Sequence, residues 1–464
     1  MNKSFKSLAG ASSGARALAV CAATVLAGCA SFSADGGFGK VAELTQQRTG
    51  QRATWQRSAA DVDAAQVRVD ELLAQPLTVD SAVELALLNN RGLQARFAEL
   101  GIAETDLVRA GRLANPSFTF GRLRGGGVTE IDRSIMFDVL GLLTLPLAHQ
   151  VEQGRFAQAQ YGAAFEAVGV AADTRRAFFD AVAAAELVGY FEQVRDAADA
   201  SGELARRMLR AGNFSKLAQM RQQAFAADAT AQLARARQHA LAARERLVRL
   251  LGLTGGPADV KLPQRLPDLP TAPLPQQDAE QTAMAQRLDL LMARHATEAT
   301  ARALGLTKAT RFVNVLHTGY ANTSQTGEAR QNGYEIELEL PLFDFGAART
   351  ARAEAIYMQS VHRTAAVAVN ARSELRESYA AYRSAFEIAR HYRDEVVPLR
   401  QRIADENLLR YNGMLIGVFE LLADAREQIA GVTGHVEALR DHWIAETDLR
   451  TALTGRSPAS KEQP

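Results

Sequence analysis

An internal duplication constrains this chain more than any other feature, because whatever fold one half adopts the other must adopt beside it. The run LTLPL at residues 143–147 returns as LELPL at 338–342, and NNRGLQARFAEL from Asn89 returns loosely as AQRLDLLMARHA from Ala285. Gly212 and Gly413 each interrupt a long helical pattern. A repeat of this kind marks two copies of one supersecondary unit. In each half the apolar spacing changes in the same order. A helical stretch (79–112; 280–307) gives way to two β-like runs (116–124 and 133–147; 311–320 and 333–342) and then to two very long helical stretches. The halves are placed at 76–254 and 276–454, with a Pro-rich linker at 255–275, an N-terminal segment at 29–75 and a tail at 455–464. The linker sequence KLPQRLPDLPTAPLPQ carries five prolines, which exclude a helix interior or a central strand.

The cleanest strand lies in the second half. Tyr334, Ile336, Leu338, Leu340 and Leu342 alternate with Glu335, Glu337 and Glu339, so one face is apolar and the other acidic. Two environments suit such a strand: a barrel with lipid outside and a hydrated lumen, or the solvated edge of a soluble sheet. The second run of the first half alternates through Ile135, Phe137, Val139 and Leu143 but is blurred by Leu140 and Leu142. Two strands per half give four in all, too few to close a membrane-spanning barrel; three copies give twelve. Gly125, Gly126 and Gly127 sit between two strand candidates and read as a loop.

The long helical stretches carry a packing seam. Leu422, Ala425, Ile429, Val432, Val436, Leu439 and Trp443 step by three and four residues, and Ala184, Phe191, Ala198 and Ala205 recur at sevens beside Ala181, Val188 and Leu209. Pro398, inside the stretch 347–410, predicts a kink or break. His435 and His442 lie seven apart on one helix, a spacing that suits an inter-helix face better than a metal site.

The first thirty residues read as a processing signal. Lys3, Lys6 and Arg16 form a basic n-region, residues 17–27 a short apolar core, and Leu26-Ala27-Gly28-Cys29 closes it with small residues before a thiol. This predicts removal of residues 1–28 and lipidation of Cys29, with acyl chains that anchor the chain durably. Cys21 and Cys29 are the only cysteines, so the remainder holds no disulfide framework. No apolar run of transmembrane-helix length follows Cys29. A net charge of +1 gives no support to nucleic-acid binding. The eight histidines are scattered singly, without the spacings of a metalloprotease, a serine hydrolase or a phosphate loop, so no catalytic or metal site is expected.

The lipidation signal, the duplicated LxLPL element, LPLFDFGAAR at 340–349, VVPLRQRIADENLLRYNGM at 396–414 and the two interrupted helical hairpins together resemble the TolC-type outer-membrane efflux proteins of the lipoprotein branch, over residues 76–454. The resemblance implies a mainly α fold with a transmembrane β part. In it, a homotrimer forms one twelve-stranded β-barrel in outer-membrane lipid, continued by a periplasmic α-helical coiled-coil barrel. It implies a passive exit duct joined by a periplasmic adaptor to an inner-membrane pump, of the resistance-nodulation-division type, with no cofactor beyond the lipid on Cys29. The same family serves type I protein secretion. A different class, a poreless coiled-coil envelope lipoprotein, has no use for the strand pairs. Residue by residue, the resemblance places adaptor-docking hairpin tips at Leu209, Gly212 and Ser215 and at Tyr411, Gly413 and Gly417. The glycine of the second tip comes early, and the position after Ser215 that is acidic in the family holds Ala218. It places Glu420 and Asp424 at the periplasmic entrance, although the family's spacing falls on Ala423, and a solvated outer face suits these two acids equally. Glu335, Glu337 and Glu339 become lumen-lining residues.

Overall fold

The computed structural model describes residues 31–254, 260–275 and 279–455; the signal segment, Cys29 and the tail beyond Gly455 lie outside them. The elements run α1 (Phe38–Thr49), α2 (Ala59–Leu73), α3 (Val79–Asn89), α4 (Arg91–Ala110), β1 (Ser117–Gly125), β2 (Val128–Asp138), α5 (Val139–Arg210) and α6 (Lys216–Leu250). They continue with α7 (Ala279–Gln286), α8 (Leu288–Ala309), β3 (Val315–Gln325), β4 (Gln331–Glu339), α9 (Ala347–His391), a π turn (Tyr392–Val396), α10 (Val397–Asn412) and α11 (Val418–Thr454). The order helix, strand, strand, helix, helix is therefore present twice. The described residues divide into two compact units, one from 31–37, 100–159 and 294–362, the other from 38–99, 160–254, 260–275, 279–293 and 363–455.

The first unit holds a four-stranded antiparallel sheet in the order β1-β2-β3-β4, so the two halves of the chain meet at the β2–β3 pair and β1 and β4 are edges. Gly126 and Gly127 form the two-residue turn between β1 and β2 with φ of 59° and 84°, which is why glycines stand there.

One expectation is corrected here. The run at 133–147 is not all strand: β2 starts earlier, at Val128, and ends at Asp138, and the LTLPL copy at 143–147 lies inside α5. Asp138 Oδ1 accepts the Gly141 amide at 2.7 Å, an N-cap that starts the helix one residue after the strand. A Cβ at Gly141 would collide with that carboxylate, so the glycine makes room for the cap. The second copy does not follow. β4 ends at Glu339, Phe345 and Gly346 turn at φ 49° and 69°, and Asp344 Oδ1 accepts from Gly346 at 2.9 Å ahead of α9.

The second unit is helical, around a core that includes Val69, Leu85, Val182, Leu247, Phe386 and Val436. Ala181, Ala184, Ala198 and Ala205 of the first seam are all buried, as are Val436 and Leu439 of the second. The duplicated NNRG and AQRL motifs do corresponding jobs. Asn89 Nδ2 donates to the carbonyls of Leu251 and Gly252, and Asn90 Nδ2 to that of Leu250, closing the end of α6. In the other half the buried Arg287 donates to the Ala452 carbonyl at the end of α11 and pairs with Asp289 and Glu374. A π turn ends at Val396, where the Val397 amide reaches back to Tyr392, and Pro398 opens α10. The wider turn accommodates a residue that has no amide to donate and would crowd the carbonyl four back.

The Pro-rich segment is not a free linker. Val260, Leu266 and Leu269 are buried, Leu77 donates to the Lys261 carbonyl at 2.8 Å, Trp443 Nε1 to that of Pro267 at 3.0 Å, and the Leu274 amide to Tyr382 Oη at 2.9 Å. Proline stops the segment from forming a helix or central strand; it does not stop it from packing as an extended strap.

Candidate functional site

Strand pairing decides which side chains share a face, since residues directly opposite one another project to the same side. Starting from Glu335, Glu337 and Glu339, the register runs through Gly319, His317 and Val315 of β3 to Met136 and Asp138 of β2. It continues upward to Asp132 and Glu130. All six acids of the four strands lie on this one face, with Ser117, Thr119, Ser134 and Thr323 between them. Thr323 donates to Asp132 Oδ1 at 2.7 Å, and His317 Nδ1 lies 2.9 Å from Glu337 Oε2. The alternation read from β4 alone extends over the whole sheet. Glu130, Asp132 and Asp138 were missed at sequence level because β2 is too irregular in composition for its face to be assigned without its partner strands.

The opposite face carries Phe118, Phe120, Ile131, Ile135, Phe137, Leu316, Tyr320, Tyr334, Ile336 and Leu338. Phe118, Ile135, Tyr320 and Tyr334 form one row across all four strands. These are large apolar groups left open: Tyr334 is 85% exposed, Phe118 64% and Ile336 61%. The strands have 9, 11, 11 and 9 residues, the length that a tilted strand needs to cross a bilayer. Beyond β4, Leu340, Leu342 and Phe343 are also exposed. Such a sheet satisfies neither of its edges nor its apolar face by itself.

The two helical tips are built alike but with different residues. At the first, the Gly212 amide bonds to Leu209 and that of Asn213 to Met208, and Gly212 has φ 78°. At the second, Met414 bonds to Tyr411 and Leu415 to Arg410. Both are Schellman closures. The left-handed position of the second tip is Met414, at φ 58°, whereas Gly413 has an ordinary φ of −78°. Reading Gly413 as the reversal point is thus corrected by one residue. Ser215 caps α6 by accepting the Ala218 amide at 3.1 Å; the matching Gly417 stands at the N-cap of α11 without a side chain to offer. Met414 and Leu415 are 93% and 77% exposed. Glu420 is exposed in the first turn of α11, and Asp424 is half-buried one turn on.

Cys29 is outside the described residues, but the chain just after it is held. The Ser33 amide donates to Glu104 Oε1 at 2.7 Å and its hydroxyl bonds to the same oxygen, which ties the segment to α4, the helix leading into β1. Among the described residues no group of three or more His, Cys, Asp or Glu is placed to hold a metal ion, and no helix is long and apolar enough to cross a membrane.

No family model matches the chain, and neither does any curated protein. Solved structures do. A membrane protein from Pseudomonas aeruginosa superposes with a TM-score of 0.71 at 18% identity, over 81% of this chain and 93% of that one. The outer-membrane channel OprN gives 0.68 at 20% identity over 83% and 92%, and the open state of the Neisseria gonorrhoeae MtrE outer-membrane channel gives 0.64 at 15% over 85% and 91%. Similarity over nearly the full length of each shows that the fold is that of the outer-membrane channels, as the TolC-type resemblance implied.

Proposed function

We propose that this chain, whose fold is that of outer-membrane channels, forms the exit duct of a tripartite efflux system as a homotrimer. The observation that carries the reading is the segregation of the sheet: every strand acid lies on one face, all the exposed aromatic groups and most of the exposed aliphatic ones on the other, with Leu123 and Val128 the exceptions near the β1–β2 turn, and both edges are unpaired. Turning the apolar face to lipid hydrates the acids in a lumen; the reverse places six carboxylates per chain against hydrocarbon. β1 and β4 run in opposite directions, so β4 of one copy pairs antiparallel with β1 of the next, and three copies close a twelve-stranded barrel with no free edge. A poreless spacer has no use for this sheet.

The duct is passive, with an inner-membrane pump of the resistance-nodulation-division type supplying the drive and a periplasmic adaptor meeting the exposed tips at Gly212 and Met414. A lipid on Cys29 supplements the barrel as an anchor, a reading supported by the Ser33–Glu104 clasp, which ties residue 33 to α4, the helix that precedes β1. Glu420 and Asp424, just past the second tip, add charge to the periplasmic entrance. The direct test is planar-bilayer conductance of the purified full-length protein. Discrete channels of trimer stoichiometry are expected, and a protein that binds bilayers without conducting would sink the reading.

A further inference from the structure

The lipid-side face of the sheet is not wholly apolar. The three arginines of the strands, Arg122, Arg124 and Arg133, all lie on it and not among the acids. Arg133 stands opposite both Phe120 and Asn322, Arg122 opposite Ile131, and Arg124 opposite Thr129, so the three occupy one patch spanning β1 and β2. The patch is at the turn end of the strands. Arg122 is four residues, about 14 Å, farther along β1 than Phe118 of the aromatic row.

The neighbours of the patch are neutral. Arg133 donates to Asn322 Oδ1 at 3.0 Å and lies 6.0 Å from the Phe120 ring centre, and Arg124 reaches Thr129 Oγ1 at 3.3 Å. All six strand acids are on the other side of the sheet. Trimer closure does not supply one either, because the strand that comes to lie against β1 is β4 of a neighbouring copy, whose glutamates share the lumen face. Among the described residues, none of the strand acids therefore gives these three guanidinium groups a counter-charge on the outward surface. Arginine facing hydrocarbon is strongly unfavourable at mid-bilayer and nearly neutral at the interface, which places the patch at headgroup level. The aromatic row lies below the patch, about 14 Å along β1 from Arg122, and faces the apolar band.

We infer that Arg122, Arg124 and Arg133 form a binding surface for an anionic, phosphate-bearing lipid headgroup of the outer leaflet, with the acyl chains of that lipid lying along Phe118, Ile135, Phe137 and Tyr334. The inference rests on the barrel reading. The planar fork of arginine matches phosphate oxygens with paired N–H donors, and only a lipid presents phosphate and hydrocarbon together at this height.

The test uses the full-length trimer in neutral detergent, titrated with bisphosphorylated lipid A and followed by native mass spectrometry, with phosphatidylcholine and inorganic phosphate as controls. Lipid A is expected to bind in multiples of three, and the combined variant R122Q/R124Q/R133Q to bind it about tenfold more weakly. The corresponding triple-lysine variant, which keeps the charge but not the fork, should lose about two- to threefold. Equal binding by wild type and the glutamine variant overturns the inference, as does inorganic phosphate binding as tightly as the lipid. Where the glutamine variant does not assemble, wild-type lipid A affinity that is unchanged from low to high salt overturns it. Failure of the barrel reading shows separately, as a wild-type protein that neither inserts nor conducts.

Discussion

Single residues in this fold carry costs that point to what can be changed. Met414 holds a left-handed backbone that the first half gives to Gly212. A side chain there costs about 1 kcal/mol relative to glycine, so Met414→Gly is expected to slow local opening of the second tip in hydrogen exchange about fivefold, and Gly212→Ala to speed opening of the first by as much. His442 is strained electrostatically. It is fully buried among Tyr382, Phe386 and Trp443, neither ring nitrogen has a hydrogen-bond partner, and Glu446 is 3.8 Å from Nε2. Burial pushes its pKa below the ordinary 6.5, and Glu446 offsets this only in part. The unfolded chain then binds a proton that the folded chain refuses, so stability falls as pH drops through about 6.5 and is unaffected above it. Thermal melts between pH 8 and 5 should show this loss, and His442→Phe should flatten it to the weaker slope left by His435, whose burial acts in the same direction against Glu186. An unchanged pH profile in His442→Phe would refute the assignment. The reversal at Met414 was illegible in the sequence because a glycine one position earlier offered the cheaper explanation; the burial of His442 was illegible because helical spacing fixes a face but not what covers it.

At the level of elements, the sequence disclosed order better than it disclosed ends. The repeated helix, strand, strand, helix, helix plan was readable because each change of apolar period occurs twice. The end of β2 was not, because LTLPL alternates as well as it coils, and the choice was made by the Asp138 cap and the side-chain-free Gly141 beside it. Composition also misjudged the Pro-rich strap. Five prolines excluded helix correctly, but the apolar residues between them were the signal that it packs, with Leu266 and Leu269 buried and two aromatic side chains fastening its backbone. Those fasteners can be tested. Trp443→Phe removes the donor to Pro267 and Tyr382→Phe the acceptor for the Leu274 amide, each weakening the strap by about 1 kcal/mol. The double variant should be cut by proteases within 260–275 roughly tenfold faster than wild type under native conditions, with helical content unchanged. Equal cleavage rates would show that apolar burial alone holds the segment.

For the molecule as a whole, the register turns a three-residue expectation into a larger one. The acids foreseen on β4 are half of those on the face: Glu130, Asp132 and Asp138 join Glu335, Glu337 and Glu339. In the proposed trimer threefold symmetry brings eighteen carboxylates around one duct, with His317 beside Glu337 as the one strand group on that face able to carry positive charge. Carboxylates so arranged attract cations, and at low ionic strength, where screening lengths reach about 30 Å, they act together. The open channel should therefore prefer cations, with a reversal potential that shrinks as salt rises and the screening length falls to about 3 Å near molar salt. Changing Glu335, Glu337 and Glu339 to Gln together should lower the preference by roughly half and leave assembly intact, since Gln keeps the polar contacts of a hydrated wall. Adding glutamine or asparagine replacements at Glu130, Asp132 and Asp138 should remove most of the remainder, leaving only what the acids near the entrance supply. A triple variant with the full wild-type preference would mean that β4 turns its glutamates away from the conducting path. Because the register ties all four strands to one choice of face, that single result would reverse the placement of the arginines as well.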